Sequence, residues 1–499
     1  MAKTVTLHSY RRQPLTARDD NETLARARED TRLDGDGINK GATIVAVGGM
    51  GPLPDGSYPI GTWSPNGRVE IRPDGSHVVV ELLPNHTGNM WSGMKLMGEG
   101  EDKTVLRKSH WNIPLGLYCD AAPGPVDEFG VDTQSGTFKD IELGHFSFKG
   151  PLNDDLTERA PRHNEHFAHL SLNGVDGFRA TNIATEGSDG DEWTVGSGVR
   201  NPAKHTRHNR DVELLNLTGN GVNGEGRQFI SIIDAIGLVA KNLKSRNHTH
   251  PGDPARGINL MPGAVDLEPH PDTLDPWLQD VLIDGLDVEK NGGAALALLL
   301  RDNDKLRTPI RGITALNVNA RECQTGQIAI AGTAVDQRTP WDILVAGGRA
   351  VDCPSLALTA GKGIVIEDMD YSRAAAGYVG VPGTGWTVYD LTLRGIIGGR
   401  VDVHNWVRGR LEWPDGLRLI GQPREVIVVR ARPVPAPPTP SEPEPAPVPV
   451  DPALEPEVLP VDPPTSSPFP PPDSPRSGGC AILLVAIALG PILAVLGLS

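Results

Sequence analysis

Cysteine is scarce in this 499-residue chain: only Cys119, Cys323, Cys353 and Cys480 occur, with no metal-ligand spacing among them. That excludes a zinc-stapled or disulfide-stapled fold, so stability has to come from packing. Aromatic residues are few as well, at 5% of the chain, and the core must be built from small aliphatics. Basic residues are outnumbered, 47 against 63 acidic ones, for a formal net charge of −16. No stretch offers a basic groove for phosphates, which excludes a nucleic-acid partner. An acidic body also repels an acidic polymer unless a cation or a local basic patch intervenes. The chain has no His-Glu-x-x-His metal motif, no Gly-x-Ser-x-Gly elbow with a placeable triad and no phosphate-binding glycine loop. Zinc-protease, serine-hydrolase and nucleotide chemistry are excluded with them. Segments long and amphipathic enough to be crossover helices are also few, which disfavours an ordinary α/β sheet.

What fills the space is glycine, 58 residues of it, between short apolar–polar alternations. Val212 to Thr218, Gly226 to Ile233, Leu238 to Leu243 and Gly257 to Leu260 each read as a strand bounded by Gly, Asn or Asp. Leu296-Ala-Leu, Ile328-Ala-Ile and Leu356-Ala-Leu recur at spacings of 32 and 28 residues, the length of one coil of a solenoid. The expected fold is all-β, a right-handed parallel β-helix whose inward aliphatics stack from coil to coil. Cys323 and Cys353, 30 residues apart in similar contexts, then fall on neighbouring coils as buried thiols.

Composition divides the chain into four parts. Residues 1–35 are a polar arm and a short capping helix at Asp19 to Asp30, with Asp and Asn at its start. Residues 36–432 are the β-helix. Residues 433–478 are an acidic, disordered stalk, with 19 prolines among the 43 residues from Pro433 to Pro475. Residues 479–499 are an apolar C-terminal helix. Its uncharged run, 480–498, just spans a hydrocarbon core of ~30 Å, with Pro491 as a kink. The alternative is an apolar plug in an assembly. The first residues, Met1 to Arg12, are too polar to read as a secretory signal peptide.

Gly226-Arg227-Gln228-Phe-Ile-Ser-Ile-Ile-Asp234-Ala, followed by Pro254-Ala-Arg-Gly257-Ile-Asn-Leu-Met-Pro262, resembles the pectate-lyase-like β-helix superfamily. In particular it is similar to the right-handed β-helix repeat proteins of bacteriophage tails, the tail spikes and minor tail proteins. The resemblance covers residues 130 to 300, and beyond them only the rhythm. Such relatives carry an Arg-Gln-Gly-Ile-Ser strand and, one coil later, Ala-Gly-Ile-Asp-Ile-Glu-Pro. Here Asn259 and Met261 stand where those carboxylates would be, which counts against any step they serve. The lesser alternative is that Asp266-Leu267-Glu268-Pro269, just downstream, is a shifted substitute.

The loop Glu186-Gly-Ser-Asp189-Gly-Asp191-Glu192-Trp193 is the best carboxylate cluster in the sequence. Paired carboxylates cleave glycosidic bonds, and a neighbouring tryptophan stacks on a sugar ring. The catalytic candidates are therefore Asp189, Asp191, Glu192, Glu225 and His248. Trp193, His208, Arg210, Arg227, His250 and Asp253 are the substrate-binding candidates. The bland reading of the loop is an acidic solvated turn, and Arg227 in the relatives looks structural. His169, His208 and His248, spaced 39 and 40 apart, would align on successive coils, as a metal site or an acid–base group, or else as surface histidines in turns. No metal site and no cofactor is expected; calcium on Asp189 and Asp191 lacks a motif.

The resemblance implies a phage virion tail protein, a spike or minor tail protein, that binds host cell-surface polysaccharide. It also implies a homotrimer in contact with other tail proteins. If the chain is an enzyme, it is a polysaccharide lyase or glycoside hydrolase. The alternative is a bacterial membrane-anchored carbohydrate-active surface protein, held through 480–498.

Overall fold

One phrase recurs along the chain. An Asp or Gly comes first, then two apolar residues alternating with variable ones, and five residues on an Asn, Gly, Asp or His. Its paired positions are 140/145, 177/182, 211/216, 237/242, 280/285, 312/317, 342/347, 363/368 and 390/395. All eighteen adopt positive φ, between 50° and 79°. Strand register stacks the first positions into one column and the second into another.

The first column alternates strictly: Asp140, Gly177, Asp211, Gly237, Asp280, Gly312, Asp342, Gly363, Asp390. Asp accepts the left-handed backbone better than most residues, and Gly does so without cost. Asp140, Asp211 and Asp280 each lie over the next coil's glycine; a Cβ on Gly312 would sit 2.8 Å from Asp280 Oδ1. In-register parallel strands are ~4.8 Å apart, so alternation doubles the separation between like charges. The second column carries an amide ladder across three coils. Asn216 Nδ2 donates to Asn182 Oδ1 at 2.9 Å, and Asn242 Nδ2 donates to Asn216 Oδ1 at 2.9 Å. These two columns bend every long strand and so close the coil.

The computed structural model describes residues 4–6, 43–47, 57–60, 67–71, 77–82, 90, 92–108, 115–120, 138–152, 168–196, 208–221, 227–249, 263–269, 277–299, 310–331, 341–358, 361–375, 378–379, 388–397, 401–403, 407–413, 419–420 and 426–430. Long strands such as Val175–Glu186, Arg210–Asn220, Ala235–Arg246, Leu278–Asn291 and Arg311–Cys323 form a 16-stranded sheet. Between them, short strands form an 8-stranded sheet: Leu115–Asp120, Ala168–Asn173, Trp193–Val195, Ile230–Ile232, Gly263–Leu267, Ala294–Leu299, Gly326–Ala331 and Leu356–Leu358. Among the described residues every strand pair is parallel except the hairpin Gly67–Ile71 with His77–Leu82. This is a parallel β-helix.

The Leu/Ile-Ala-Leu/Ile triads stack as expected, Leu296 on Ile328 on Leu356, with Ala297, Ala329 and Ala357 alongside. Such ladders make one continuous aliphatic core from Ile44 to Leu393. Cys323 and Cys353 are both buried and free, and burial pushes both thiols up from their ordinary range. No helix occurs among the described residues, and none there is long and apolar enough to cross a membrane. The capping helix at 19–30, the stalk at 433–478 and the apolar run at 480–498 lie outside them. The chain divides into two units, residues 1–125 with 132–437 and residues 126–131 with 438–499. The second unit also lies outside the described residues.

Candidate functional site

The short-strand sheet has two faces. Inward, Leu170, Trp193, Ile230, Val265 and Leu296 stack into the core. Their neighbours one position on point the opposite way, as strand alternation requires. That outer column reads Ser171, Thr194, Ser231, Asp266, Ala297, Ala329, Ala357. It is a row of small residues and hydroxyls interrupted by one carboxylate.

Asp266 is 0% exposed. Gln228 Nε2 donates to its Oδ2 at 2.9 Å, while its Oδ1 has no hydrogen-bond partner among the described residues. Burial, and next the negative charge of Glu268, hold the Asp266 carboxyl well above the usual range. Gln228 and Arg227 pull it down in part. At the start of the same strands Arg227 Nη1 meets Asp191 Oδ1 at 2.5 Å. The Asp191 loop is fixed by Ser188, whose hydroxyl donates to Asp191 O at 2.9 Å and accepts from Gly190 N at 3.4 Å. The site is recessed: Asp266 is sealed, Glu268 is 9% exposed and the Arg227 side chain 12%. A carboxyl whose affinity for its proton is raised by burial, beside a second carboxyl, has the composition of an acid–base pair.

Of the residues singled out in the sequence, Asp189, Asp191 and Arg227 share this region, all largely buried. Glu192 and His248 come together elsewhere, inside the coil. His248 Nε2 lies 3.3 Å from Glu192 Oε1, close enough for an ion pair but not aligned as a hydrogen bond. His248 Nδ1 pairs with Ser245 Oγ at 3.0 Å, and the Thr185 hydroxyl donates to Glu192. Gly219 makes room for them, since a Cβ there would lie 2.5 Å from Glu192 Oε2. Ser, His and Glu in line have the composition of a nucleophile relay. All three are sealed in the core, so the network holds the corner together. Burial pushes the Glu192 carboxyl up, and His248 pulls it part of the way back.

Trp193 is fully buried, its ring part of the core with no face toward solvent. His208 and Arg210 stand at the start of a long strand, away from the Glu192–His248 pair. Glu225, His250 and Asp253 lie outside the described residues. The three evenly spaced histidines do not stack. His169 Nε2 meets Glu186 O at 2.9 Å, His248 holds Glu192, and His208 Nδ1 meets Asp234 Oδ2 at 2.9 Å. Among the described residues no group of His, Cys, Asp and Glu has the geometry to hold a metal ion. Residue type and spacing alone missed Gln228, Asp234 and Trp277, and offered Asp266 only as a shifted counterpart.

No family model matches the chain, and no curated protein matches it. Among solved structures it is similar to the N-terminal fragment of bacteriophage Phi29 gene product 12, at 11% identity over 85% of this chain and 65% of that one, with a TM-score of 0.38. It is also similar to the catalytic domain of a GH87 alpha-1,3-glucanase in complex with nigerose, at 12% identity over 86% and 68%, with a TM-score of 0.35. A third is the A-module of the Azotobacter vinelandii mannuronan C-5 epimerase AlgE4, at 10% identity over 85% and 100%, with a TM-score of 0.28. The chain thus spans 65% of the length of the first of these. Strand order and register by themselves make the described residues a parallel β-helix.

Proposed function

We propose that the protein binds a neutral surface polysaccharide along the outer face of the short-strand sheet and acts on it through Asp266 and Glu268. The observation that supports this reading is Asp266 itself. It is a fully buried carboxylate with one oxygen held by Gln228 and the other unpartnered, beside a second carboxylate. Glu268, at the edge of the recess, meets the glycosidic oxygen, and the buried Asp266 beside it supplies the second carboxyl of the pair. Asp191 pairs with Arg227 at the start of these strands, which holds the guanidinium beside the site. The net charge of −16 argues for an uncharged glycan over a uronic-acid polymer.

In this reading the chain is a tail-associated virion component, a homotrimer meeting host polysaccharide alongside other tail proteins. The solenoid's regular outer face supports the glycan contact, and the resemblance supports the setting. The test is retention of the full chain on immobilised dextran and on polygalacturonate, with sugar release followed in parallel. Retention on the neutral polymer, with release that is lost in Asp266→Asn, is the expected result. Retention on neither polymer counts against the reading, and antibody detection of the chain in purified phage particles tests the setting.

A further inference from the structure

Just past the C-terminal end of the short strand Ile230–Ile232, three coils meet on one carboxylate. Asp234 is fully buried. Its Oδ1 accepts from the Asn209 backbone N–H at 3.1 Å, and its Oδ2 accepts from the Trp277 backbone N–H at 2.7 Å. The same Oδ2 lies 2.9 Å from His208 Nδ1. The Asn209 side chain completes the clasp, with Nδ2 donating to Asp234 O at 3.1 Å and Oδ1 accepting from Val175 N at 3.2 Å.

This clasp fixes more than the corner. The carboxylate orients the imidazole: Nδ1 faces Asp234 and Nε2 faces away from it. Among the described residues nothing hydrogen-bonds Nε2, and the His208 side chain keeps 10% of its surface exposed. The imidazole stacks on the Trp277 indole, with ring centroids 4.5 Å apart and planes at 27°. Trp277 is itself only partly buried. The indole face turned away from His208 is a platform for the C–H face of a pyranose ring, and the edge of the imidazole offers Nε2 as a hydrogen-bond partner for a hydroxyl. Trp193, by contrast, has both faces in the core and can offer neither.

We infer that Trp277 and His208, held by Asp234, form a sugar-binding subsite at the corner of the β-helix. It accepts one neutral hexose unit, a hydroxyl of which hydrogen-bonds His208 Nε2. This rests on the glycan reading above and adds a place on the molecule for a second sugar unit, distinct from the Asp266 carboxylates. The substrate contact belongs to Trp277 and His208, and Asp234 is a positioning residue.

The experiment titrates the full chain with dextran oligosaccharides, following tryptophan fluorescence and the His208 imidazole signals by NMR, with melting temperature as the fold control. The variants are Trp277→Ala, which leaves the backbone N–H to Asp234 intact, His208→Gln and Asp266→Asn. The subsite predicts a His208 shift on saturation. It also predicts at least a tenfold loss of affinity in Trp277→Ala and a smaller loss in His208→Gln, with melting temperatures unchanged. Wild-type affinity in both variants overturns the subsite and leaves the glycan reading standing. Absence of binding by the wild-type chain overturns both. If Trp277→Ala lowers the melting temperature, the NMR shift of His208 in the wild-type chain decides: movement supports the subsite, and a stationary signal overturns it.

Discussion

At His169, burial and the nearby Lys108 charge hold the imidazole neutral, its pKa pushed down to about 3. Unfolded, the same ring titrates near its ordinary value of 6.5. Its contribution to stability is therefore complete above that value and is lost as pH falls toward 3, at about 1.4 kcal/mol per pH unit. His169→Gln keeps a donor for Glu186 O and removes the titration. Between pH 7 and pH 5 the wild-type chain should lose about 2 kcal/mol more stability than this variant, read by urea denaturation at each pH. Equal losses would show that His169 is solvated. Gly312 makes the second residue-scale prediction. Its φ is +66°, and an added Cβ would crowd Asp280 Oδ1. Gly312→Ala should cost about 1–3 kcal/mol in urea denaturation, and Asp280→Gly in the same chain should return part of it.

At the scale of the strand, Asn216 donates to Asn182 and accepts from Asn242 while its backbone sits at φ 55°. Asn216→Gly keeps the backbone easy and loses the ladder, at about 1 kcal/mol. Asn216→Ala loses the ladder and adds left-handed strain, about 1–2 kcal/mol more. Urea midpoints that rank glycine above alanine at this position would support the ladder, and the reverse order would contradict it. The strands themselves were legible from alternation, as the stacking of Leu296, Ile328 and Leu356 shows. The pairing of Asp or Gly with Asn or Gly five residues on was equally present but harder to see. Coil lengths run from 21 residues (Asp342 to Gly363) to 43 (Gly237 to Asp280), so a search for one fixed period passes over an invariant offset. Trp193 was misplaced for a related reason. Its acidic neighbours suggested an exposed loop, while Trp193-Thr194-Val195 is already a strand with Trp and Val inward. Asp234 becomes a site residue only when coil closure brings it to His208 and Trp277, 26 and 43 residues away in sequence. Nothing local announces that.

For the whole molecule, the parallel β-helix explains how a chain with so few aromatics and only four cysteines builds a large core. It also explains how polar chemistry reaches defined places on that core. One network is sealed inside at Glu192 and His248, one is recessed at Asp266, and one stands at a corner around Asp234. Their separation predicts independence. Asp266→Asn should abolish sugar release with the fold intact, while Glu192→Gln should lower stability and leave the chemistry of the remaining folded protein in place. The most direct measurement is reducing-end release from a neutral cell-surface polysaccharide by the full chain and by Asp266→Asn, at matched folded concentrations. The account predicts release by the wild-type chain that falls at least a hundredfold in the variant, with glycan retention preserved. Release that is undiminished in Asp266→Asn would contradict it, since the buried carboxyl would then be a structural acid and the chemistry would lie elsewhere on the solenoid.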